Sequence, residues 1–99
     1  MAVYVDNARI QWRGRLWCHL VADSIDELHL FAERIGMRKE WFQHAASYPH
    51  YDITLERRCL ALELGALIGS RVEIIGCARK LKAELALQPQ NPEQLILFK

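Results

Sequence analysis

A chain of 99 residues, 52% hydrophobic and 25% charged, has room for one domain with one core and is too apolar to stay disordered. Its formal net charge of +1 excludes a global field that would steer it to nucleic acid or membrane, so any such contact needs a local patch. No apolar run approaches the ~20 residues that cross a bilayer, and the first residues lack the pattern of a signal peptide, so the expected compartment is the cytoplasm. Cys18, Cys59 and Cys77 fit neither a disulfide framework nor a zinc pattern; Cys59 and Cys77 read as small core residues.

Ala2-Val3-Tyr4-Val5 is β-rich and ends at the turn signal Asp6-Asn7. Residues 7–17 read as a loop, and Cys18 to Ala22 as a second strand ending at Asp23. Ser24 and Glu27 have capping-box spacing, and Ile25, Leu28, Phe31, Ala32 and Ile35 recur at helical spacing up to the stop at Gly36. Residues 38–44 read as a short helical turn presenting Trp41 and Phe42, and residues 48–53 as an extended segment. Thr54 caps a helix over 55–64, stopped by Gly65; residues 66–68 make a short strand. Ser70 and Glu73 repeat the capping box and start a last helix that runs to about Leu87, with Val72, Ile75, Ala78, Leu81 and Leu85 as its apolar stripe. Strands alternating with helices predict a small, three-layer-like α/β domain over residues 1–87, with about four short strands in a largely parallel sheet and three to four helices. Pro89 and Pro92 then break helix formation, so 88–99 is read as an extended tail ending in an apolar plug.

Asp6 and Asp23 each fall at the carboxyl end of a predicted strand, and Asp52 near the end of the third extended segment. In a parallel sheet these carboxylates share one edge, where one or two of them could hold Mg²⁺ or Mn²⁺ for phosphodiester chemistry. Their structural alternatives are turn and cap duties. His19 precedes Asp23 by four residues, and His50 precedes Asp52 by two, which puts that pair on one side of an extended segment. Such His–Asp pairs can orient a general base or serve a softer metal such as Zn²⁺. His29 is placed on a solvent face. Arg9, Arg13 and Arg15 interleave with Trp12 and Trp17, and Arg38, Lys39 and Trp41 can extend the set. Cationic groups beside aromatic faces are how single-stranded nucleic acid is held without sequence reading.

Two resemblances add to this. Gln94-Leu95-Ile96-Leu97-Phe98 resembles the pentapeptide, of the form Gln-Leu-x-Leu-Phe, by which bacterial proteins bind the replicative DNA sliding clamp. The resemblance implies that Gln94 enters a small polar subsite, Leu95 sits at its rim, and Leu97 and Phe98 fill an apolar pocket; Ile96 departs from the more usual Ser or Asp. The body of the chain, through Ala2 to Arg9, Trp17 to Ser24, Asp26 to His29, Trp41-Phe42-Gln43 and Pro49-His50-Tyr51-Asp52, resembles a widespread family of small bacterial and phage proteins known as a domain of unknown function. That likeness covers roughly residues 1–68 and implies a bacterial or phage origin but no activity. The leading functional expectation is therefore a replication or repair accessory protein that docks on the sliding clamp through Gln94, Leu95, Leu97 and Phe98. The alternative is a divalent-metal nuclease or phosphodiesterase using Asp6, Asp23 and Asp52, with His19 or His50 assisting.

Overall fold

The computed structural model describes residues 2–87. Five strands, β1 (Val3–Val5), β2 (Ile10–Trp12), β3 (Arg15–Ala22), β4 (Tyr51–Thr54) and β5 (Leu67–Ile68), and three α-helices, α1 (Ile25–Arg34), α2 (Leu55–Glu63) and α3 (Arg71–Leu87), make up these residues, with a 3₁₀ turn at Lys39–Trp41. The domain is α/β, as expected, but its sheet is mixed and mostly antiparallel. β3 runs antiparallel to β1, β2 and β4, and only β5 lies parallel to its neighbour β1. The expectation of a largely parallel sheet fails for a local reason. Residues 7–17 are not a loop: Arg13 (φ 51°) and Gly14 (φ 74°) turn the chain back on itself and pair β2 with the start of β3. Two successive residues at positive φ make a tight hairpin turn, and a hairpin returns its strand antiparallel. No crossover helix separates β1 from β3.

The other local signals act as the sequence indicates. Glu27 N–H donates to Ser24 Oγ (3.2 Å), and the Ser24 hydroxyl donates to Glu27 Oε1 (3.1 Å). Ser70 and Glu73 form the reciprocal box at the start of α3, where Ser70 N–H donates to Glu73 Oε1 (2.8 Å) and Glu73 N–H to Ser70 Oγ (3.2 Å). Each satisfies donors that a helix start leaves free. Thr54 caps α2 through Arg57 N–H (3.3 Å). Gly36 (φ 83°) and Gly65 (φ 110°) end α1 and α2 in the left-handed region that glycine enters without strain.

The register fixes which side chains share a face. Val3–Ala22, Val5–Leu20, Leu20–Tyr51 and Cys18–Ile53 are paired, so one face carries Val3, Val5, Cys18, Leu20, Ala22, Tyr51 and Ile53. Nearly all of this face is buried, together with Leu28, Phe31 and Ala61 from α1 and α2. The opposite face carries Tyr4, Trp17, His19, Val21 and Asp52. α3 crosses part of it through Ile74, Cys77 and Ala78. Its stripe starts later than the spacing predicts: Cys77, Ala78 and Leu81 are buried, whereas Val72 is 81% exposed. Cys18 and Cys77 are buried, and burial pushes the Cys18 thiol up to about 12. Cys59, expected inside, is exposed on α2.

Leu28 and Leu30 sit on one helix, the first fully buried and the second 65% exposed. Leu28→Ala is expected to lower unfolding free energy by about 2–5 kcal/mol through lost burial and a residual cavity. Leu30→Ala is expected to stay within about 0.5 kcal/mol of the parent. Urea titrations followed by circular dichroism check both.

Candidate metal centre

β1 ends at Val5, and its next residue turns a carboxylate back over the sheet. Asp6 Oδ1 accepts the backbone N–H of His19 (2.9 Å) and of Ala8 (3.3 Å), while Asp6 Oδ2 lies 2.5 Å from His19 Nδ1. An ionised carboxylate only accepts, so Nδ1 carries a proton, and in the neutral ring Nε2 keeps its lone pair. Burial pushes the Asp6 carboxyl up, but the His19 side-chain and backbone hydrogen bonds outweigh it and hold the group below its ordinary value. The same Asp6 bond raises His19 above its ordinary value against the opposing effect of burial.

His19 is paired with Asp52 across β3 and β4, and its Nε2 lies 3.9 Å from Asp52 Oδ1. His50 stands two residues before Asp52, on the same side of the strand, with Nε2 3.0 Å from that same Oδ1. The His19 and His50 rings meet edge to face, with centroids 4.8 Å apart. His50 Nδ1 lies 2.6 Å from the Tyr48 carbonyl, which can only accept, so Nδ1 is again the protonated nitrogen. A neutral His50 therefore turns a lone pair toward a carboxylate oxygen. Two acceptors at 3.0 Å repel unless a second proton or a cation lies between them.

One ligand atom from each of His19, His50 and Asp52 falls within 4.8 Å of the others. Ligands bound at about 2.0–2.2 Å to a single ion sit about 3 Å apart, a spacing that His50 and Asp52 already have and His19 exceeds. Both histidines have their second nitrogen held by an oxygen acceptor, the arrangement that fixes tautomer and ring angle in metal sites. Two imidazoles with one carboxylate suit Zn²⁺, Mn²⁺ or Fe²⁺ better than Mg²⁺, which prefers oxygen. His19 and His50 line a cleft of about 320 Å³ together with Ala46, Ser47, Tyr48 and, from α3, Ile74, Ile75 and Ala78, and Asp52 lies outside its lining.

Of the carboxylates singled out in the sequence, Asp6 and Asp52 meet around His19, while Asp23 does not. The expected common edge required parallel strands; with β1 and β3 antiparallel, their carboxyl ends lie at opposite ends of the sheet. Asp23 instead accepts Ala2 N–H (2.9 Å), Lys80 Nζ (3.3 Å) and the Cys77 thiol (3.5 Å). His29 is also placed differently from expectation: it is half-buried, bonded to Tyr51 Oη (2.8 Å) and packed edge-on against Phe42. Asp6 was legible only as an edge carboxylate. Its contact with His19 depends on the antiparallel pairing, which the Arg13-Gly14 dipeptide could have signalled. Of the basic and aromatic residues, Trp12 packs edge-on with Trp17 (5.9 Å) beneath the Arg13 guanidinium (4.5 Å). Arg38 pairs with Glu40 (2.8 Å), which offsets its charge. Arg9, Arg15 and Lys39 are exposed. Gln94, Leu95, Leu97 and Phe98 lie outside the described residues.

A family model for proteins of unknown function, DUF4031, matches residues 3–81 and so spans every element from β1 into α3. The chain belongs to the DUF4031 family. The resemblance seen over residues 1–68 thus extends through most of the domain and takes in Asp6, His19, His50 and Asp52. No curated protein and no solved structure matches the chain. Among the described residues, no helix is long and apolar enough to cross a membrane.

The Ala2 bond, aided by Lys80 and Cys77 against desolvation, holds the Asp23 carboxyl below its ordinary value. A depressed folded-state value means the carboxylate stabilises the fold fully above the unfolded value of about 3.9, and that this is lost as pH falls through the folded value. Lys80 is exposed and screened, so most of the effect comes from the Ala2 bond. Asp23→Asn is expected to cost about 1 kcal/mol at pH 7. The difference from wild type should close as pH falls below about 3.9. Thermal melts of both proteins over that range measure it.

Proposed function

We propose that this domain is a divalent-metal-dependent phosphodiesterase acting on nucleic acid, with His19, His50 and Asp52 as metal ligands and Asp6 as the residue that orients His19. The observation that carries this reading is the juxtaposition of His50 Nε2 and Asp52 Oδ1 at 3.0 Å beside His19 Nε2, with both Nδ1 atoms committed to oxygen acceptors. An ion there supplies Lewis-acid charge for a phosphoryl oxygen and acidifies a water. Asp6 holds the His19 proton at Nδ1 and keeps Nε2 free for the ion. Asp52, the most exposed of the set at 41%, faces the approach of substrate. The exposed Arg9 and Arg15 can supply positive charge to a nucleic-acid strand. Asp23, at the far end of the sheet, takes no part in this assignment.

The test is cleavage of end-labelled single- and double-stranded DNA with Mn²⁺, Zn²⁺ or Mg²⁺, alongside calorimetric titration of each metal. Cleavage is expected with Mn²⁺ and is expected to vanish in EDTA. His50→Ala and Asp52→Ala are expected to abolish both cleavage and metal binding, and Asp6→Asn to weaken metal binding about 10–100-fold. Full metal affinity in Asp52→Ala would refute the assignment.

A second reading is favoured by the tail. Gln94 to Phe98 follows α3 behind a segment with two prolines, and its pattern suits capture of an extended peptide by side-chain pockets. In this reading the peptide docks on a bacterial sliding clamp and concentrates the domain on DNA during replication or repair. Purified clamp should retain the full chain on a column. A chain shortened by residues 94–99, or carrying Leu97→Ala and Phe98→Ala, should flow through while keeping its melting temperature. Equal retention of the shortened chain rules this reading out.

A further inference from the structure

A second cleft, of about 470 Å³, opens beside the candidate metal centre, and Asp52 lines its wall. Its volume lies within the range of small-molecule sites, about 300–1,000 Å³. Ile10, Trp12, Trp17, Trp41 and Arg57 form the rest of the surface that matters. The lining is mostly apolar, yet Trp12 (56%) and Trp41 (44%) remain strongly exposed. All three tryptophans of the chain are in this one cleft. Two guanidinium groups already lie over indole faces: Arg13 over Trp12 at 4.5 Å and Arg57 over Trp41 at 5.8 Å. The Arg57 head is held by its Nε–H bond to the Ile35 carbonyl (3.2 Å), and Trp17 by its indole N–H bond to the Trp12 carbonyl (2.9 Å).

We infer that this cleft receives an unpaired nucleobase, which makes single-stranded nucleic acid the substrate class of the neighbouring centre. The inference rests on the phosphodiester reading of His19, His50 and Asp52. Indole faces stack on any base, and guanidinium groups add cation–π attraction and contact phosphate. Because Asp52 belongs to both the cleft and the metal cluster, a base stacked among the tryptophans brings its own phosphodiester toward the ion. A base within a duplex has both faces covered by its neighbours, so it reaches the cleft only by leaving the stack, at an energetic cost that single strands avoid. The cleft thus selects against duplex.

Because no other tryptophan is present, tryptophan emission reports this cleft alone. The experiment titrates the full-length chain with a short fluorescein-labelled oligothymidylate, and with a duplex of the same length, in EDTA. Working without metal separates this inference from the metal assignment, which the calorimetric titration tests on its own. The single strand is expected to quench tryptophan emission and to bind at least tenfold more tightly than the duplex. Trp12→Ala and Trp41→Ala should each weaken single-strand binding about tenfold, whereas Trp12→Phe and Trp41→Phe should keep most of it. Melting curves show whether each variant is folded. Unchanged affinity in folded Trp12→Ala and Trp41→Ala overturns the inference, and so does equal binding of duplex or absence of any binding to the wild-type chain. A change in the free protein's emission on removing residues 94–99, without oligonucleotide binding, assigns the cleft to the chain's own tail. Concentration-dependent mass lost in Trp12→Ala assigns it to a second copy. Either of these results also overturns the proposal.

Discussion

Strand β3 is the constraint on which the rest of the molecule depends. It is paired on one side with β4 and on the other with β1 and β2, so its two-residue alternation sets both faces of the sheet at once. Cys18, Leu20 and Ala22 point into the core formed with α1 and α2, and are fully buried. The residues that alternate with them, Trp17, His19 and Val21, are thereby forced to the other face. A slip of one residue would put His19 into the core and move Leu20 to the opposite face. The burial of Leu20 against Tyr51 and Val5 is therefore also what aims His19 at Asp52.

The local signals in the sequence were legible because each acts within a few residues. Ser24–Glu27, Thr54, Ser70–Glu73, Gly36 and Gly65 all do what their chemistry suggests, and the helices between them follow. The strand directions were not legible, since they hang on one turn. Reading residues 7–17 as a loop hid the Arg13-Gly14 hairpin, and with it the antiparallel course of β3. With β3 antiparallel to β1, Asp23 lies at the other end of the sheet from Asp6, and Asp6 meets His19. The His50–Asp52 pair, by contrast, needed only the period of an extended strand, and it lies on one side as that period requires. The shared cleft was the least legible feature. Trp12 and Trp17 come from the hairpin, Trp41 from the 3₁₀ turn and Arg57 from α2, and no spacing in the sequence links them.

Electrostatics explains why the cluster is more than a group of polar side chains sharing a surface. A histidine that donates through Nδ1 to a carbonyl is at rest when its Nε2 meets a donor or water. His50 meets the Asp52 carboxylate instead, with the second imidazole alongside. Among the described residues, every buried side-chain nitrogen and oxygen has a hydrogen-bond partner. A proton on His50 Nε2 makes this contact an ion pair, and a cation in its place would be held by the same carboxylate and imidazole nitrogens.

Thr54 ties this potential to the aromatic cleft. It is the last residue of β4 and also the cap of α2, so the backbone passes from Asp52 to Arg57 without a loop between. Arg57 is fixed in turn by Ile35 at the end of α1 and lies over Trp41. The distance from the carboxylate to the indole is therefore set by one strand-to-helix junction and one side-chain bond. The distance from a base to its own phosphodiester is bounded by the sugar and backbone that join them. A site that holds both ends of a nucleotide needs such a rigid span, and sites carried on regular elements keep it better than sites carried on loops.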